Sequence, residues 1–138
     1  MNVHISDDYQ PNDDEPFMGA RQQEYFRKKL LRWRSEILED ASQTILNLQE
    51  ETVKEPDIAD RASTESERAL ELRTRDRQRK LIGKIDSALR RIDEGNYGYC
   101  DETGEPISLR RLEARPVATL SLEAQERHER REKVYRDD

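Results

Sequence analysis

The sequence predicts a mostly α protein: a long antiparallel coiled-coil hairpin, a small globular zinc-finger-like domain, and a C-terminal helix. Three observations predict it. Apolar residues recur at helical spacing on both sides of Pro56, charge is laid out in alternating blocks, and a cluster of Gly, Tyr and Pro residues follows the second stripe. The 138 residues are 41% charged and 33% hydrophobic, against about 25% and 45–50% in ordinary domains. Too few apolar side chains exist to line the deep pocket of a compact enzyme, so no enzymatic activity is expected. No apolar run is long enough for a membrane span, and the N-terminus lacks the basic and apolar regions of a signal peptide. One cysteine makes no internal disulfide, so a cytoplasmic protein is expected.

Residues 1–20 read as an acidic flexible arm. Asp7, Asp8, Asp13, Asp14 and Glu15 stand there without a Lys or Arg before Arg21, and Pro11 and Pro16 discourage regular structure. Residues 21–94 read as the hairpin. Its first stripe, Phe26, Leu30, Trp33, Ile37, Ala41, Ile45, Leu48 and Thr52, steps by three and four residues and lies on one helix face. The tip falls near 54–60, because Pro56 disfavours helix at Glu55 yet suits a new first turn, where Asp57 and Asp60 meet the helix dipole favourably. The second stripe comprises Ile58, Ala62, Ala69, Leu72, Ile82, Ile85, Leu89 and Ile92. Charge runs basic over 21–35, acidic over 36–67 and basic over 68–91, so fold-back makes one end acidic and the other basic. Between Arg73 and Lys80 no apolar residue occurs and five of eight are basic. In register these lie opposite Trp33, where arginine stems can cover the indole; the plainer reading is a solvated helix face.

Gly95 ends the second helix. Residues 95–120 then form the globular domain: strand-like Tyr97–Cys100, a turn at Asp101–Gly104, a return at Glu105–Ile107, and a short helix from Ser108 to Ala114 broken by Arg115-Pro116. Ser121 is a good N-cap for the polar helix of 121–138. Positions 100, 103, 121 and 124 carry zinc-ribbon spacing, but their occupants are Cys100, Thr103, Ser121 and Ala124. Alanine offers no donor and neutral hydroxyls are poor zinc ligands, so no bound metal is expected. The ordinary fate of Cys100 is a small buried side chain. The two histidines lie far apart, no phosphate-binding glycine loop occurs, and the acidic balance disfavours nucleic-acid binding. A structural coiled-coil adaptor whose stripes bind another helix is the alternative from a different class.

Glu55–Ala62 (EPDIADRA) followed by Leu70–Ile82 (LELRTRDRQRKLI) resembles the coiled coil of the DksA/TraR family of RNA polymerase-binding transcription factors. Gly98-Tyr99-Cys100 and Arg110–Pro116 (RRLEARP) resemble its globular domain. The likeness covers roughly residues 20–135 and is nearer to the longer DksA-type members, with the zinc motif reduced to a single cysteine. It implies a bacterial protein whose coiled coil enters the secondary channel of core or holoenzyme RNA polymerase. It further implies modulation of initiation with the alarmone (p)ppGpp in the stringent response, without direct DNA binding or a membrane, and as a monomer. By the same resemblance Asp57, Asp60 and Ala62 form the tip near the polymerase active centre. Arg77, Leu81, Lys84 and Arg115 are the (p)ppGpp contacts, and Gln125 stands where the family carries a further lysine.

Overall fold

The computed structural model describes residues 3–53 and 58–137, with side chains over the same ranges except at Leu48, 51–62 and 135–137. Four helices follow in order: α1 Ala20–Val53, α2 Ile58–Glu94, α3 Leu109–Ala114 and α4 Leu122–Asp137. The fold is mostly helical, as the two stripes predict. Among the described residues β structure is limited to one antiparallel bridge, between Tyr99 and Pro106. The strand and return read from 97–107 therefore shrink to a tight hairpin. Cys100 N–H donates to Glu105 O at 2.8 Å, and Ile107 N–H donates to Gly98 O at 2.7 Å. Pro106 lacks an N–H and cannot extend the ladder.

The chain divides into two compact units, one of residues 1–30 and 85–138 and the other of residues 31–84. In the first, here the terminal unit, Phe26 and Leu30 of α1, Ile85, Ala88 and Ile92 of α2, and Tyr97, Ile107 and Leu112 beyond it are all buried, with the Phe26 and Tyr97 ring centroids 5.7 Å apart. Each large side chain so covered contributes about 1.5–3 kcal/mol relative to exposure. On α2 the buried face runs through Ala88 rather than Leu89. Ser108 caps α3, its Oγ accepting from Arg111 N–H at 3.2 Å. Ser121 caps α4, its Oγ accepting from Ala124 N–H at 3.2 Å, as its sequence position predicts.

The acidic N-terminal segment packs rather than extending. Ile5, Tyr9 and Met18 are buried, and Tyr9 stacks edge-on against Tyr25 while the Arg21 guanidinium lies over its ring. Gln22, 1% exposed, holds the entry to α1. Its Oε1 accepts from Met18 N–H at 2.8 Å and its Nε2 donates to Asn12 O at 3.1 Å. That is the reach-back of a capping side chain, satisfying a backbone donor at the helix start. The flexible arm expected from composition is thus corrected over its described part. Ile5, Tyr9 and Met18 find the core, Asp7, Asp8, Asp13 and Asp14 remain exposed, and half-buried Glu15 accepts from Gln22 Nε2 at 3.2 Å.

The second unit, here the hairpin unit, pairs residues 31–53 of α1 with residues 58–84 of α2, and Ile37 is its principal buried side chain. Two helices cannot enclose a core, so Leu31, Leu38, Leu46, Leu70 and Leu72 stay largely exposed. Trp33 is half-buried. The cation–ring contacts among the described residues fall at Tyr9, Tyr25 and Tyr97 instead of at its indole.

Candidate functional site

Asp57 lies outside the described residues. Asp60 and Ala62 fall on the helical backbone in the first turns of α2. Arg77, Leu81 and Lys84 follow on α2 at steps of four and three, and so share one face. Arg77 and Lys84 are exposed, with half-buried Leu81 between them. Arg77 Nη2 reaches Thr74 Oγ1 at 3.4 Å, a contact within its own helix that leaves the guanidinium open to a ligand. Arg115 belongs to the terminal unit. It is the exposed C-cap of α3, its N–H donating to Arg111 O at 2.8 Å. Gln125, on the first turn of α4, donates from Nε2 to Glu129 Oε1 at 3.1 Å.

The four positions with zinc spacing are brought together by the globular hairpin and the start of α4, but not as a donor set. Cys100 is buried. Burial pushes its thiol up, yet hydrogen bonds from the Thr103 side chain and from the Ser121, Thr103 and Glu102 backbone outweigh it. They bring the pKa well below that of an ordinary thiol, to about 6. Thr103 Oγ1 also accepts from Glu105 N–H at 3.2 Å, and Ser121 Oγ is engaged as the α4 cap. Ala124 is fully buried and supplies a methyl group where a fourth ligand would stand. A closed tetrahedral zinc site needs four N or S donors, and these residues do not fit one. His128 is exposed on α4 beside Glu132 at 3.8 Å. Among the described residues no cluster of three or more His, Cys, Asp or Glu could hold a metal ion. Other contacts close the module. Tyr97 OH donates to Pro116 O at 2.7 Å, Arg111 Nε donates to Leu120 O at 2.8 Å, and Asp101 N–H donates to Thr119 O at 2.8 Å. Burial raises the Tyr97 pKa far above its ordinary value, so this phenol stays a donor at all working pH.

Two features escape a reading of the sequence. One is the packed N-terminal segment, for which Phe17-Met18 next to Pro16 is the one local signal. Phe17 stacks edge-on against Tyr99 with ring centroids 5.4 Å apart. The other is a groove on the hairpin unit lined by Ile37, Leu38, Ala41, Arg75, Gln78, Arg79 and Ile82, which no residue spacing announces. Among the described residues no helix is long and apolar enough to cross a membrane.

Comparison with known proteins covers both units. Residues 22–92 match the family described as DnaK suppressor protein DksA, N-terminal domain, and residues 95–130 match the prokaryotic dksA/traR C4-type zinc finger. A protein of Caulobacter vibrioides named RNA polymerase-binding transcription factor DksA is 68% identical over 131 residues, 95% of this chain and 92% of the relative. The Escherichia coli protein of the same name is 42% identical over 125 residues, 91% of this chain and 83% of its own length. The structure of transcription factor DksA2 from Pseudomonas aeruginosa superposes with a TM-score of 0.79 at 46% identity, covering 90% of this chain and 94% of that one. A long helical hairpin, a capped Tyr97–Ala124 module with one cysteine of four, and matches along nearly the whole length leave one conclusion: the chain belongs to the DksA/TraR family.

Proposed function

We propose that the chain regulates transcription by binding RNA polymerase, its hairpin entering the secondary channel so that Asp57, Asp60 and Ala62 act near the active centre. The observation that carries this reading is the 68% identity over 95% of the chain with a protein named for polymerase binding. The protein acts in the cytoplasm as a monomer, without enzymatic activity and without contacting DNA. An acidic tip suits a channel that holds Mg²⁺, whose preferred partners are carboxylate oxygens. Regulation is joint with (p)ppGpp, contacted by Arg77, Leu81, Lys84 and Arg115 and enclosed by polymerase. A polyphosphate needs several converging cations, each charge-assisted contact contributing about 1.5–3 kcal/mol. Gln125 supplies no charge, so synergy is present but weaker than where a lysine stands.

Transcription from a stable-RNA promoter, titrated with (p)ppGpp, tests both halves. Asp57→Asn with Asp60→Asn should retain polymerase binding and lose the effect on promoter-complex lifetime. Lys84→Ala should reduce the alarmone response, and Gln125→Lys should enhance it. Wild-type behaviour of the double tip variant refutes the tip role. An unchanged response in Lys84→Ala refutes the effector assignment.

A further inference from the structure

Small zinc-finger modules are folded by their metal, because so short a chain buries too little to hold itself closed. The hairpin of this chain lacks a zinc donor set. Its backbone closes through Cys100 N–H to Glu105 O at 2.8 Å, Gly104 N–H to Cys100 O at 2.8 Å and Ile107 N–H to Gly98 O at 2.7 Å. A segment from the other end of the sequence lies against it. Phe17 stacks edge-on against Tyr99, and Met18 sits so near Gly98 that an added Cβ there would stand 3.0 Å from Met18 Cε. Ile5, Tyr9 and Met18 of the same segment are buried.

Met18 is held under strain. Its φ of +53 is the one left-handed value at a non-glycine residue among the described residues. Side chains disfavour that conformation, and it persists only where the surroundings enforce it. Here side chains from the start of α1 enforce it. Gln22 Oε1 accepts from Met18 N–H at 2.8 Å, and Gln23 Nε2 donates to Met18 O at 2.8 Å. Glu15 ties the turn together, accepting from Tyr9 OH and from Gln22 Nε2. Contacts that depend on one another in this way form and break together.

We infer that residues 3–18 form a releasable strap that closes the hairpin around Cys100, supplying through Phe17 and Met18 the closure that four ligands and a zinc ion supply in a complete zinc finger. When the strap lifts, Met18 relaxes to an ordinary backbone, Tyr99 loses its ring partner, and the hairpin amides open to water. The helical base, with Phe26, Leu30, Ile85 and Ala88 buried, stays formed. Strap and hairpin are thus one cooperative unit that opens below global unfolding. In the rival arrangement the module closes itself through Tyr97 OH to Pro116 O and Asp101 N–H to Thr119 O, and the strap only rests on it. Neither of those bonds reaches Tyr99, where the strap sits.

Native-state amide hydrogen exchange of the full-length chain, read residue by residue by NMR, decides between them. Phe17→Ala should accelerate exchange at Cys100, Gly104 and Ile107 by about tenfold or more, and at Ala88 and Ile92 by less than about twofold. Phe17→Tyr, which keeps the ring, should match wild type at all five. In a chain carrying Thr103→Cys, Ser121→Cys and Ala124→Cys and loaded with one zinc ion, adding Phe17→Ala should leave the hairpin amides protected, because the metal then closes the module. Unchanged exchange in Phe17→Ala overturns the strap and leaves closure to Tyr97 and Asp101. Equal acceleration at Ala88 and Ile92 overturns it as well, since the segment then belongs to the global core. Acceleration by Phe17→Ala as large in the zinc-loaded chain as in the native one overturns its equivalence to a metal.

Discussion

Cys100 should make the stability of this protein depend on pH in a defined window. The perturbation is Cys100→Ser, which keeps a small polar side chain among the same hydrogen-bond donors and removes the titration. In the folded chain the thiol has a pKa of about 6, burial being outweighed by the Thr103 side chain and three backbone N–H groups. In the unfolded chain a cysteine titrates near 8.5. The folded pKa is the lower one, so between about 6 and 8.5 the unfolded state binds one more proton than the native state, and stability rises with pH. The contribution is complete above 8.5 and is lost as pH falls through 6. At 1.36 kcal/mol per unit, the window of about 2.5 units corresponds to about 3 kcal/mol. Urea unfolding of wild type and Cys100→Ser at pH 5.5, 7.0, 8.5 and 9.5 isolates the effect as the difference between the two proteins, in which other titrating groups cancel. The difference should grow toward high pH and then level off. A flat difference from pH 5.5 to 9.5 refutes a thiolate held by these donors.

Tyr97→Phe should cost about 1–3 kcal/mol in urea unfolding, because Pro116 O loses its buried donor at 2.7 Å; a loss below about 0.5 kcal/mol refutes that role. Gly98→Ala should destabilise by at least about 1–2 kcal/mol. Gly98 has φ +94, and an added Cβ would stand 3.0 Å from Met18 Cε and 3.2 Å from Phe17 Cζ. Added resistance of the first 16 residues to proteolysis in that variant would contradict the packing. Prolonged chelator treatment should leave the melting temperature unchanged, since Thr103, Ser121 and Ala124 do not complete a zinc site. One tightly held zinc per purified chain, lost together with the fold, would overturn this.

The helices, their caps and their breaks were determined by sequence alone, because each rests on residues within one or two turns of one another. The stripe of Phe26, Leu30 and Ile37 places α1, Gly95 closes α2, and Ser108 and Ser121 cap α3 and α4, their hydroxyls accepting within three residues. The shared face of Arg77, Leu81 and Lys84 follows from spacing in the same way. Tertiary structure decided what depends on partners distant along the chain. Composition around Asp7 and Asp13 predicts a loose arm, yet a handful of apolar side chains suffices to dock it, because burial is set by individual residues and not by average polarity. Cys100 reads as an inert buried thiol, and its lowered pKa arises from donors as far along the chain as Ser121. The groove between Ala41 and Arg79 exists only because two helices of opposite direction leave a gap between them, and no periodicity within either helix encodes what its neighbour fails to fill.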